Sequence, residues 1–189
     1  AVLGRNGAGK STLVKSIMGM VPYLEGEVVF KGESLRNEPV HKLFQEGIGY
    51  FHQGGQVFPQ MTVEENLRFA QFKKKRREGL ELQLLKDHFP ILQESKIHLM
   101  KAGDLSGGER TQLSLAMVLV NKPELLILDE PFAGVAPKNS GTIIRFMQSL
   151  KSEWAFTLML IEQNQYLAQS LCDDVFVLKQ KQIFPFLTK

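Results

Sequence analysis

The clearest chemistry near the start of the chain lies in Gly4-Arg5-Asn6-Gly7-Ala8-Gly9-Lys10-Ser11, followed by Thr12, which fits the pattern G-x-x-x-x-G-K-[ST]. Glycines let a backbone curl around phosphate groups and turn its N–H bonds inward. A helix beginning near Ser11 would add the positive end of its dipole. Lys10 would reach the outer phosphates as a point charge, and the Ser11 hydroxyl is suited to Mg²⁺. A glycine-rich turn that happens to precede a lysine would carry the same letters, so the flanking elements decide. A strand end, Ala1-Val2-Leu3, precedes the loop, and an amphipathic stretch with Leu13, Val14, Ile17 and Met18 on one side follows it.

Two further segments add chemistry. In Leu125-Leu-Ile-Leu-Asp129-Glu130 an apolar run ends in two carboxylates. A strand of that kind, buried on both faces, delivers its last residues to the carboxyl edge of a sheet. Asp129 could then hold Mg²⁺, and Glu130 could polarise a water for attack on a terminal phosphate. In Leu105-Ser106-Gly107-Gly108-Glu109 the Ser106 and Glu109 spacing is that of a capping box, which starts a helix. The glycines at its entrance leave N–H groups open to an anion. One loop holding one nucleotide does not need this second anion surface, whereas two chains docked head to tail would.

The elements that must position these residues alternate between short apolar runs and amphipathic stretches, which argues for an α/β fold with a mostly parallel sheet. The spacing predicts a helix over Ser11 to Met20 and strands over Glu27–Lys31, Ile48–Phe51, Glu124–Asp129, Ala155–Ile161 and Asp174–Leu178. Between Thr62 and Val120 only helices and loops are expected. One starts at a Thr62/Glu65 capping box, and a charged helical segment from Lys73 to Leu99 is broken at Pro90. Gln180 to Lys189 carries no clear helix or cap. Only three residues precede the phosphate loop, so the start of the domain is expected to lie upstream of Ala1.

At 189 residues, 43% hydrophobic and 23% charged, the chain suits one globular domain with a subdomain. No apolar run approaches the roughly 20 residues that span a bilayer, and no signal peptide is present, so a cytoplasmic domain is expected. The single cysteine, Cys172, excludes an internal disulfide and reads as a core residue. The net charge of +3 and a pI of about 9.0 raise nucleic acid as a partner. The basic run Lys73-Lys74-Lys75-Arg76-Arg77 has no interleaved aromatics, so it reads as a solvated face and no nucleic-acid partner is expected.

In its phosphate loop, Gln53, LSGGE segment and LLILDEP run, taken in that order, the chain resembles the nucleotide-binding domains of ABC transporters over nearly its whole length. The resemblance implies a P-loop NTPase core, residues 1–53 and 121–189, with an inserted α-helical subdomain, about residues 54–120, carrying the signature. It implies an ATPase using ATP and Mg²⁺. Gly4, Arg5, Asn6, Gly7, Ala8, Gly9, Lys10, Ser11 and Thr12 would bind ATP, and Ser11, Gln53 and Asp129 would attend the metal. Glu130, Gln53 and Gln163 would serve catalysis. Leu105, Ser106, Gly107, Gly108 and Glu109 would contact the ATP of a second subunit, in a homodimer or heterodimer. Transmembrane permeases would dock in a groove near Phe58, Pro59 and Met61, with a solute-binding protein acting indirectly. The subunit would sit on the cytoplasmic face of the membrane.

Val57-Phe-Pro-Gln-Met-Thr-Val-Glu-Glu-Asn-Leu67 and Ile161-Glu-Gln-Asn164 look like the ATPases of branched-chain amino-acid and urea importers. Pro131-Phe-Ala-Gly-Val135 is also similar to the ATPase of lipopolysaccharide export. A soluble ABC ATPase outside transport usually has two such domains or a long coiled-coil insertion, and neither is visible. The chain departs from the family at Gln163, where a switch histidine is usual, and at Ala136, where an aspartate is usual. A glutamine amide still reaches a phosphate oxygen but carries no charge. The adenine-stacking aromatic is expected upstream of Ala1.

Overall fold

The computed structural model describes residues 1–22, 25–71, 85, 89–93, 97–133 and 137–186. The basic run Lys73–Arg77, most of the segment 73–99, and Ala136 lie outside the described residues.

In chain order the elements are β1 (Val2–Leu3), α1 (Lys10–Ile17), β2 (Val29–Phe30), β3 (Glu33–Ser34), α2 (Val40–Glu46), β4 (Ile48–Phe51), α3 (Val63–Ala70) and α4 (Pro90–Gln93). Next come α5 (Gly107–Leu119), β5 (Leu125–Asp129), α6 (Pro137–Glu153), β6 (Thr157–Glu162), α7 (Gln165–Leu171), β7 (Phe176–Lys179) and β8 (Gln182–Pro185). The main sheet runs β4-β5-β6-β1-β7-β8, parallel except for the antiparallel β7–β8 pair. Strands β2 and β3 form a separate antiparallel ribbon.

Side-chain alternation along β5 divides the core. Leu126 and Leu128 join a cluster with Leu115, Leu119 and Met147, while Ile127 joins Val14, Met18, Leu43 and Tyr50. Val14 and Met18 are wholly buried, each contributing roughly 1.5–3 kcal/mol. They anchor α1, and so the phosphate loop, to the sheet. Cys172 packs against the larger cluster.

One strand expectation is corrected, and two elements appear where none was expected. The expected strand at Glu27–Lys31 is only the two-residue β2, which turns through Lys31 and Gly32 into β3. Helix α2 was not foreseen; its first residue follows Pro39, and Gly47 at φ 106° ends it. The tail forms β8, because its backbone pairs with β7 even though its side chains are exposed. Pro90 opens a short helix, the position where its missing N–H costs nothing.

Both predicted capping boxes are present: Thr62 with Glu65 at the start of α3, and Ser106 with Glu109 at the start of α5. Between β4 and β5 the described residues hold helices, 3₁₀ turns and one isolated bridge, Thr62 to Lys101.

Candidate functional site

Neighbouring parallel strands deliver the candidate residues to one edge. Parallel sheets gather ligands outside the carboxyl ends of their strands. Here β1 leads into the phosphate loop, β4 into Gln53, β5 into Asp129 and Glu130, and β6 into Glu162 and Gln163. The register levels them: Asp129 lies beside Ile161, Ile161 beside Val2, and Glu162 beside Leu3.

Local backbone geometry explains the loop's glycines. Gly9 precedes α1 at φ 102°, a conformation that L side chains rarely adopt. A Cβ on Gly4 would stand 2.9 Å from the carbonyl oxygen of Leu178 in β7, so the loop can lie against the sheet only with glycine there.

The side chains converge on Glu130. Its Oε1 lies 3.1 Å from Lys10 Nζ, and both side chains are nearly buried. The Gln163 amide donates to the same oxygen at 3.0 Å, and the Gln53 amide donates to Oε2 at 3.0 Å. Gln163 also donates to Asn6 Oδ1 at 2.6 Å, and Lys10 donates to the carbonyls of Gly4 and Arg5 at 2.9 and 3.2 Å. Glu130 sits at φ 47°, outside the usual region for a non-glycine residue, just after β5. Backbone strain of this kind collects at functional sites.

Asp129 projects from β5 onto the face shared by Tyr50 and α1. Burial pushes its carboxyl above the ordinary aspartate range, and hydrogen bonding with the Ser11 hydroxyl pulls the other way. Its Oδ1 is buried without a hydrogen-bond partner. A buried acceptor left open beside a hydroxyl makes a hard oxygen donor set, which fits Mg²⁺. Tyr50 faces the same carboxylate, and burial, followed by the Asp129 charge, pushes its phenol up to about 12.

Among the sequence-predicted residues, Asn6, Lys10, Ser11, Gln53, Asp129, Glu130 and Gln163 thus meet at one edge. Leu105, Ser106, Gly107, Gly108 and Glu109 do not join them: among the described residues no hydrogen bond or ion pair links that segment to the loop. Leu105 is buried, whereas Ser106 and Gly107 are exposed. Tyr50 and Glu162 are site residues the sequence reading did not single out. Their signal is a polar group within or at the end of a largely apolar strand, close to a motif.

Below Gln53 an apolar groove of about 450 Å³ runs along Tyr50, Phe51, His52, Phe58, Phe69 and Met117. Of the residues expected to line a docking groove, Phe58 lines this one, and Pro59 and Met61 lie outside its lining. The carbonyl oxygens of those two residues accept from Gly103 and Ala102 instead, which turns the segment away.

Residues 1–133 match the family model described as ABC transporter. The chain belongs to the ABC transporter family, as an ATP-binding subunit. Among curated relatives, the chain is 39% identical to a protein of Archaeoglobus fulgidus named "Probable branched-chain amino acid transport ATP-binding protein LivF", covering 94% of this chain and 75% of that one. It is 34% identical to the high-affinity branched-chain amino acid transport ATP-binding protein BraG of Pseudomonas aeruginosa, over 96% and 77% of the two chains. It is 32% identical to the lipopolysaccharide export system ATP-binding protein LptB of Haemophilus influenzae, over 93% and 73%.

A solved nucleotide-free ATP-binding cassette from an ABC transporter matches with a TM-score of 0.79 and 29% identity, covering 96% of this chain and 77% of that one. The fold is therefore the α/β ATP-binding cassette, and the enzyme class is ATPase. Among the described residues no helix is long and apolar enough to cross a membrane.

Proposed function

We propose that the chain energises import of branched-chain or other amino acids, or urea, by hydrolysing ATP on the cytoplasmic face of a membrane. The observation that carries the reading is the cluster in which Lys10, Gln53 and Gln163 all address the Glu130 carboxylate. The identities of 39% and 34% to proteins named for branched-chain amino acid transport support the solute class. They outrank the 32% identity to the lipopolysaccharide-export protein.

The site residues divide the work. The amides of Gly4 to Thr12 cradle the triphosphate, and Lys10 leaves the Gly4 and Arg5 carbonyls and Glu130 for the outer phosphates. Glu130, released, accepts a proton from the attacking water. The Gln163 amide moves from Glu130 to a γ-phosphate oxygen. Ser11, Asp129 and Gln53 would hold Mg²⁺, which supplies neutralisation of phosphate charge.

Residues 54–120 act as a helical subdomain. Its signature, Leu105 to Glu109, offers the open N-terminus of α5 to the ATP of a second copy or a sister subunit. The apolar groove receives a helix of the transmembrane permease, and its wall at β4 leads on to Gln53, so docking and catalysis are linked through one segment. A solute-binding protein acts through the permease.

The test is ATPase activity of the subunit assembled with its permeases. Stimulation by an amino-acid-loaded or urea-loaded binding protein is expected. Stimulation only by a lipid-export partner would replace the import reading.

A further inference from the structure

Glu162 ends β6 with 5% of its surface exposed, directly after the apolar run Leu158–Ile161. Burying a carboxylate is costly, and burial pushes the Glu162 pKa above the ordinary range. An apolar side chain would pack there at lower cost, so the carboxylate needs a reason.

Its hydrogen bonds supply one. Oε2 accepts from the backbone N–H of Gln163 at 2.8 Å and from that of Asn164 at 3.3 Å. Asn164 in turn caps α7, with Oδ1 accepting from Tyr166 N at 2.9 Å and Leu167 N at 3.4 Å. The Gln163 backbone is thus held by Glu162, and the chain directly after it is fixed by the Asn164 cap. That leaves its amide aimed at Asn6 in the phosphate loop and at Glu130. Glu162 lies level with Leu3, the residue immediately before the loop, so the turn it closes is registered against the loop itself.

We propose that Glu162 is a positioning residue for ATP hydrolysis: it folds the chain after β6 so that the Gln163 amide is held at Glu130 before nucleotide binds and within reach of the γ-phosphate afterwards. The proposal rests on the reading of Gln163 as a phosphate-contacting amide. What acts is a hydrogen-bond acceptor at Oε2; its negative charge is not required.

The experiment compares Glu162→Ala, Glu162→Gln, Gln163→Ala and the Glu162→Ala/Gln163→Ala pair in the purified subunit. Turnover, affinity for a non-hydrolysable ATP analogue and the side-chain amide resonance of Gln163 are read for each. Gln163→Ala and Glu162→Ala are each expected to lower kcat by up to about 100-fold, the scale of a misplaced reacting group, with analogue affinity held within about threefold. The pair should be no slower than either single variant. In Glu162→Ala, without nucleotide, the Gln163 amide resonance should move to the position of an exposed glutamine. Glu162→Gln, whose amide oxygen can still accept both N–H bonds, should restore most of kcat and the native resonance.

Multiplying losses in the pair, or an unmoved Gln163 resonance in Glu162→Ala, would overturn the positioning role while leaving Gln163 its own. An unchanged kcat in Gln163→Ala would overturn the reading of Gln163 and the proposal with it. A loss in Glu162→Gln equal to that in Glu162→Ala would also overturn it, because the charge and not the acceptor would then matter.

Discussion

Lys10 Nζ lies 3.1 Å from Glu130 Oε1, so the ammonium suited to phosphate and the carboxylate suited to water hold each other. With Gln53 and Gln163 also on that carboxylate, Glu130 is engaged at both oxygens. In the proposed cycle, phosphate competes for the lysine before the carboxylate is released.

Breaking that pair should destabilise the nucleotide-free protein. Removing one partner of a buried ion pair leaves the other charge uncompensated, at a cost of about 3 kcal/mol. Lys10→Met should lower the urea midpoint accordingly, and adding Glu130→Gln should recover most of the loss. Losses that simply add would show that the two groups are not coupled.

The pH response of Glu162 follows from burial. Its folded pKa is raised, so the folded state binds the proton more tightly than the unfolded chain. Its contribution is full below the ordinary glutamate value of 4.5 and is lost as pH rises through the folded value. At neutral pH the protein bears the cost of a buried charge that Glu162→Gln lacks. Urea unfolding should find this variant the more stable at pH 7, with the gap closing as pH falls toward 4.5. A gap independent of pH would contradict the assignment.

Asn66 should matter for the segment that leads from Gln53 to α3. It is wholly buried: Oδ1 accepts from Phe58 N at 2.7 Å, and Nδ2 donates to the carbonyls of Phe58 and Thr62 at 3.0 and 2.9 Å. Asn66→Ala leaves the Phe58 N–H without its acceptor, while the Phe58 and Thr62 carbonyls keep the N–H bonds of Met61 and residue 66, at a cost of about 1–3 kcal/mol in chemical denaturation. A loss below about 0.5 kcal/mol, the scale of ordinary surface changes, would show that the loop finds other partners.

The signature segment predicts association. Light scattering of Glu130→Gln with ATP should give a dimer, and without ATP a monomer. Gly108→Asp, which puts an anion where phosphate would sit yet suits the first turn of a helix, should abolish the dimer while the monomer keeps its nucleotide affinity. A dimer that persists in Gly108→Asp would remove the signature from the interface.

The sequence made legible what depends on local pattern. The apolar run ending in Asp129, the two capping boxes and the phosphate loop each stand where spacing predicts. What was not legible depends on partners distant in the chain. Strand β8 exists because β7 is beside it, and its exposed side chains leave no burial pattern to read. Glu162 reads as an ordinary acidic residue until the register sets it beside Leu3 and the turn closes on its carboxylate. Sequence also hides that the carbonyls of Pro59 and Met61 tie their segment to the 3₁₀ turn Ala102–Asp104, a pairing between segments far apart in the chain.

The central claim is that Glu130 takes the proton from the attacking water. Single-turnover ATP hydrolysis by the purified Glu130→Gln subunit tests it most directly. A rate lower by about 10²–10⁴-fold, with ATP affinity retained, is the result this role predicts. Hydrolysis within about threefold of the native rate, well short of that range, would contradict it.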